Sequence, residues 1–230
     1  MSDRILITGA NRGIGLEMSR QAAAAGHHVT AACRTPDKAD ELNALAADSG
    51  RRITVIGMEV RDEGSVRAAA ANVGGLDLVV CNAGTLNARG GLTDPGHTPE
   101  NIAESLMTNI AGVFFTARHF AGHLKDSTTP RIAVISSQMG SSERAGTTAP
   151  IYRATKAAAT NLTRSMALEL ADDGIAVGAY HPGWVQTDMG GAKAAITVEE
   201  SAEGLLQRFA VLGPATSGVF ETYQGEKMPF

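Results

Sequence analysis

The sequence predicts an α/β fold, a single doubly wound parallel sheet of about seven strands with helices on both faces. Three observations predict it. Short apolar runs at 4–8, 27–33, 53–58, 76–81, 131–136, 175–180 and 218–222 alternate with longer helical stretches at 14–25, 36–49, 63–72, 99–124, 149–173 and 198–212, and such alternation builds βαβ units. The runs are continuously apolar rather than alternating, as strands covered on both faces must be. The first run ends in a glycine-rich turn that leads straight into the first helix.

That turn reads Thr8-Gly9-Ala10-Asn11-Arg12-Gly13-Ile14-Gly15. Glycine lets the backbone bend sharply and lets a pyrophosphate approach without a Cβ in the way. The helix start then offers unpaired N–H groups to the negative charge. Gly9, Asn11, Arg12, Gly13, Ile14 and Gly15 are therefore candidate dinucleotide contacts. The second strand ends Cys33-Arg34-Thr35, with arginine rather than a carboxylate at the position that reads the ribose. A guanidinium there favours a 2′-phosphate, and Arg12 offers a second fork. NADP(H) is the expected cofactor, with NAD(H) as the alternative.

Strands three to five contribute their C-terminal ends, where parallel sheets bind ligands. These ends read Met58-Glu59-Val60, Cys81-Asn82-Ala83-Gly84 and Ser136-Ser137, and they are joined on the same side by Gly- and Thr-rich loops at 87–98 and 140–150. The helix after strand five carries Tyr152-Arg153-Ala154-Thr155-Lys156. Positions i and i+4 share a helix face, so the Lys156 ammonium falls near the Tyr152 phenol. A nearby positive charge draws a phenol down from its free pKa of about 10, making Tyr152 a candidate acid–base group.

Composition is consistent with one domain over 1–230. The chain has 43% hydrophobic and 19% charged residues and a net charge of −4. No basic stripe is present, which argues against nucleic acid or a membrane surface as the main partner. Cys33 and Cys81 sit in apolar runs without metal-ligand spacing, so they read as buried thiols and no metal is expected. The apolar stretch after Arg4 is too short for a signal-peptide core, and no run approaches the roughly 18 residues that span a bilayer. A cytoplasmic location is the expectation.

The TGxxxGxG turn, the YxxxK helix, Asn82-Ala83-Gly84, Met107-Thr108-Asn109-Ile110 and Pro182-Gly183-Trp184-Val185-Gln186-Thr187 occur in this order. Together they resemble the short-chain dehydrogenase/reductase family, with its Rossmann-type domain. The segments Tyr152 to Ala158 and His181 to Gly191 and the tail from Gly218 to Phe230 are most similar to the C-factor-like group. The resemblance implies that Tyr152, Lys156, Ser137 and Asn109 are catalytic. Ser137 would hold the substrate oxygen, with Ser136 second and Ser141 and Ser142 as fallbacks; it stands fifteen residues before Tyr152, a longer spacing than is usual in the family. Asn109 would kink its helix and hold a water that connects Lys156 to solvent. Asn82, Ala83 and Gly84 would border the adenine ribose, Glu59 and Val60 the adenine. Pro182, Gly183, Val185 and Thr187 would hold the carboxamide, and Tyr152 and Lys156 would also touch the cofactor.

The implied reaction is hydride exchange between NADP(H) and a small carbonyl or alcohol substrate, with Tyr152 moving the proton. Two other functions fit the same residues: a C-factor-type signalling or interaction protein that binds NAD(P) and turns over little, and an isomerase or dehydratase. The short Gly/Ala-rich loop at 188–197 reads as an open, mobile rim that names no substrate. By resemblance, the helices at 99–124 and 149–173 would pair chains into a homo-dimer or homo-tetramer.

Overall fold

The computed structural model describes residues 2–230; Met1 lies outside the described residues. Seven strands form one sheet: β1 Arg4–Thr8, β2 His28–Cys33, β3 Ile53–Gly57, β4 Leu78–Cys81, β5 Arg131–Ile135, β6 Ala176–His181 and β7 Phe220–Thr222. Their order is β3-β2-β1-β4-β5-β6-β7, and every neighbouring pair runs parallel. The expected α/β doubly wound sheet is present, and each strand begins and ends within two residues of its sequence run.

The helices are α1 Gly13–Ala24, α2 Asp40–Asp48, α3 Glu63–Ala70, α4 Pro99–Leu106, α5 Gly112–Phe120, α6 Pro150–Glu169 and α7 Val198–Ala210. Side chains alternate across a strand, so β1 feeds two separate cores. Ile5 and Ile7 pack with Met18, Leu42, Leu205 and Phe209 under α1, α2 and α7. Leu6 packs on the other face with Val66, Phe120, Leu124 and Met166 under α3, α5 and α6. Both cysteines are free and buried, as expected, and burial pushes the Cys81 thiol up to about 12.

Two predicted helices are not continuous. The stretch 36–49 splits into a single tight turn at Pro36–Lys38 and then α2, because Ala39 leaves helical geometry with φ −103 and ψ 58. The stretch 99–124 breaks into α4, a widened π turn at Met107–Ala111, α5 and a tight final turn. Such single π turns occur frequently at functional sites. Helix α6 begins after Ala149, which has left-handed backbone with φ 49. This conformation costs a non-glycine residue energy, and the Ala149 N–H donates to the Gly90 carbonyl at 2.8 Å. Among the described residues, no helix is long and apolar enough to cross a membrane and no cluster of ligating side chains fits a metal ion.

Candidate active site

The strand order reverses between β1 and β4, and a crevice opens above such a switch point. The glycine turn forms its floor. Gly9 and Gly13 have positive φ of 65 and 53. A Cβ on Gly9 would stand 2.9 Å from Ala83 Cα, and one on Gly15 would collide with the Gly9 carbonyl. The turn is stapled to the segment after β4: the Asn82 and Ala83 N–H groups donate to Thr8 Oγ1 at 3.0 Å each, and Asn82 Nδ2 donates to the Thr8 carbonyl at 2.8 Å. The start of α1 carries no side-chain cap, which leaves its first N–H groups facing the cleft.

The cleft encloses about 760 Å³. The glycine-turn residues Gly9, Asn11, Arg12, Gly13, Ile14 and Gly15 line it together with Arg34, Glu59 and Val60 from the β2 and β3 ends. Asn82, Ala83 and Gly84 line it from β4, Tyr152 and Lys156 from α6, and Pro182 and Thr187 from the β6 end. Four expected site residues fall outside its wall: Ser137, in whose place Ser136 lines it, Asn109, and the cofactor contacts Gly183 and Val185. Gly183 turns the chain with φ 89, and a Cβ there would strike Ile196; Val185 is 4% exposed and bridges to Ile196. Both residues shape the loop from behind.

Tyr152 and Lys156 meet at the centre. Lys156 Nζ lies 5.7 Å from the centroid of the Tyr152 ring and donates to the Ile135 carbonyl at 2.8 Å. Burial lowers the Lys156 ammonium to about 8. Burial raises the Tyr152 phenol to about 12, against the opposing pull of the Ser137 hydroxyl and the Arg89 charge. The lowering expected from Lys156 rests on the added charge of an oxidised nicotinamide; in the chain alone desolvation outweighs the Ser137 hydroxyl and the Arg89 charge, and the ammonium is directed at a strand carbonyl.

The serines separate clearly. Ser136 is 1% exposed, donates to the Lys156 carbonyl at 3.1 Å and shares a 2.6 Å hydrogen bond with Thr160, so its hydroxyl is committed to packing α6. Ser137 accepts from the Met139 N–H at 3.1 Å and lies beside the phenol. Ser141 is buried without a hydrogen-bond partner among the described residues, and Ser142 is exposed.

Asn109 sits in the π turn, fully buried. Its amide donates to the Thr85 carbonyl and to Thr155 Oγ1, each at 2.9 Å, and its oxygen accepts from the Thr85 N–H at 2.9 Å. The helix distortion is as expected, but the Asn109 side chain clamps the segment after β4 to α6 instead of standing free. A Cβ on Gly84 would come within 3.4 Å of both Asn109 Oδ1 and Lys156 Nζ.

Both arginines line the cleft but pair with different carboxylates. Arg34 lies 3.7 Å from the Glu59 carboxylate, whereas Arg12 pairs with Asp188 at 2.8 Å. Burial works against the Glu59 charge, but hydrogen bonds from Arg61 and the charges of Arg61 and Arg34 hold its carboxyl below the ordinary value. The rim at 188–197 carries hydrogen bonds from three side chains outside it. Arg89 donates to the Met189 carbonyl at 2.6 Å, Trp184 Nε1 to the Gly190 carbonyl at 2.9 Å and Gln186 to the Ala194 carbonyl at 3.1 Å. The sequence reading did not single out Arg89, Asp188, Thr85 or Thr155, because each acts across loops distant in sequence.

A glycine cradle, uncapped helix N–H groups and an exposed arginine at the β2 end together suit a nicotinamide dinucleotide. The family model for short chain dehydrogenase matches residues 3–196. C-signal of Myxococcus xanthus is 34% identical over 168 residues, covering 72% of this chain and 100% of that protein. Cis-4-hydroxycyclohexanecarboxylate dehydrogenase of Sinomonas cyclohexanicum is 32% identical over 190 residues, covering 80% of this chain and 74% of that one. The structure of an NADPH-bound carbonyl reductase from chicken fatty liver superposes with a TM-score of 0.91 at 33% identity, covering 100% of this chain and 99% of the other. The chain belongs to the short-chain dehydrogenase family of oxidoreductases.

Proposed function

We propose that this protein is an NADP(H)-dependent carbonyl reductase, interconverting an aldehyde or ketone with the alcohol, and that Tyr152 is its acid–base group. The observation that carries the reading is the convergence of Tyr152 and Lys156 on the cleft floored by the glycine turn. Bound NADPH supplies the hydride to the carbonyl carbon. The Tyr152 hydroxyl donates its proton to the carbonyl oxygen, and the Ser137 hydroxyl orients that oxygen by hydrogen bond. The Lys156 ammonium stabilises the phenolate left behind and takes part in returning its proton. Tyr152 and Ser137 thus meet charge where it develops, which is where preorganised groups contribute most. A phenol at about 12 holds its proton at neutral pH, which favours reduction. Arg34 would hold the 2′-phosphate, with Gly9 to Gly15 at the pyrophosphate, and Asn109 would act through Thr85 and Thr155 as a positioning residue. NAD(H) is the secondary cofactor.

The test is titration with NADPH and NADH, followed by a panel of aldehydes and ketones with the cofactor that binds. NADPH should bind more tightly, and Arg34→Ala should reduce that preference about tenfold, the loss of one charge-assisted contact. Equal binding of both cofactors by the wild type, unaffected by Arg34→Ala, would contradict the cofactor assignment. The likeness to C-signal supports a second reading, a signal protein that binds NAD(P) and turns over little. Tight cofactor binding without NADPH consumption on any carbonyl would favour it. We further propose that one domain works as a homo-dimer or homo-tetramer in the cytoplasm.

A further inference from the structure

The chain carries a net charge of −4, yet three arginines hydrogen-bond to the loops around Ser137, Tyr152 and the rim residue Met189. Arg89 bonds the Met189 carbonyl, Arg144 bonds Gln138 Oε1 at 3.1 Å, and Arg153 bonds the carbonyls of Thr148 and Arg144 at 2.9 Å each. None of these three lies within ion-pair distance of a carboxylate among the described residues. Three acidic groups on the surrounding loops are engaged elsewhere, Asp188 with Arg12, Glu104 with Arg61 and Asn87, and Asp94 with the backbone N–H groups of Gly90 and Gly96. Glu143, next to Arg144 in the chain, is exposed and forms no ion pair among the described residues. Arg89 is exposed and spans from the loop after β4 to Met189 on the opposite rim of the cleft. That one hydrogen bond leaves most of its five donors free. Its charge also reaches the Tyr152 phenol.

We propose that Arg89 selects the substrate by holding a carboxylate carried by the carbonyl or alcohol that reacts at Tyr152. A planar fork with free donors suits bidentate capture of a carboxylate. The site stands at the substrate end of the cleft, away from Arg34 at the β2 end, so the anion it takes belongs to the substrate rather than to the 2′-phosphate. Arg144, bonded to the residue that follows Ser137, adds a second positive charge on the serine's loop. The proposal rests on the redox reading above, and its test separates the two.

The NADPH-saturated enzyme is given 3- and 4-carboxybenzaldehyde and the methyl ester of each. The acid should exceed its ester in kcat/KM by about tenfold or more, the range of one charge-assisted pair. Arg89→Gln should bring the acid-to-ester ratio near one through KM, Arg89→Lys should keep part of it, and added salt should shrink it in the wild type. Because the readout is a ratio, a loosened rim that slows both substrates alike does not mimic this result. Calorimetry of 4-methylbenzoate on the NADPH complex supplies a readout independent of turnover. Carboxylate binding that is lost in Arg89→Gln supports the site even if no aldehyde is reduced, an outcome that would defeat only the redox reading. Ester reduction without acid preference or carboxylate binding overturns the Arg89 proposal and leaves the redox reading standing. Weaker NADPH binding in Arg89→Gln with an unchanged ratio also overturns it, since the guanidinium would then serve the cofactor.

Discussion

Tyr152 and Lys156 are both buried ionisable groups, and burial moves them in opposite senses, the phenol up to about 12 and the ammonium down to about 8. The ammonium therefore releases its proton earlier in the folded chain than in the unfolded one, where a lysine titrates near about 10.4. Between these two values the unfolded chain binds more protons, so wild-type stability rises with pH across that window. Relative to Lys156→Met, which keeps no charge to bury, the wild type should gain in Tm as pH rises from about 7 to about 10. Thermal melts of both proteins across that range check this, and a gap independent of pH would contradict it. The same titration should appear in kcat/KM for NADPH, which reports groups of the free enzyme, as a fall in reduction through about pH 8. The pairing of Tyr152 with Lys156 was legible because i,i+4 spacing on a helix is local geometry. The direction of the phenol shift was not, because it depends on how much tertiary structure covers the ring.

The elements around the site hold it through a few cross-links between loops. The π turn at Met107–Ala111 brings Asn109 into the gap between Thr85 and Thr155. Replacing Asn109 with alanine leaves the half-buried Thr85 N–H and carbonyl and the buried Thr155 hydroxyl without this partner. That should cost about 3 kcal/mol, about 10 °C in Tm for a chain of this size, and should lower turnover as well. Denaturant titration and steady-state rates measure the two effects. Gly15→Ala should weaken NADPH binding strongly, because its Cβ would collide with the Gly9 carbonyl and displace the turn; a binding titration reads the loss. Helix positions were legible from periodicity, whereas the break at Asn109 was expected only through the family resemblance, and its π form depends on the contacts Asn109 makes with Thr85 and Thr155 across the fold. The hydrogen bonding of 188–197 was hidden for a different reason. Arg89, Trp184 and Gln186 reach it through backbone carbonyls, and carbonyls carry no sequence signature.

At the scale of the molecule, a parallel sheet was readable from the alternation of runs, whereas the strand order that determines where the crevice opens emerges only in the fold. Homo-oligomer formation, proposed through α4–α5 and α6, is consistent with the exposed apolar side chains Leu106, Phe114 and Leu168, which are 43%, 42% and 82% exposed. Light scattering should report a dimer or tetramer, and Phe114→Glu together with Leu168→Glu should yield monomers; a monomeric wild type would contradict it. The central claim is that Tyr152 moves the proton beside a dinucleotide held by the glycine turn. The most direct test compares the wild type with Tyr152→Phe for NADPH consumption on a reducible aldehyde and for NADPH binding by fluorescence titration. Turnover should fall by at least about a hundredfold in Tyr152→Phe, the scale of one general acid, with cofactor binding retained. Wild-type turnover in Tyr152→Phe would contradict the claim.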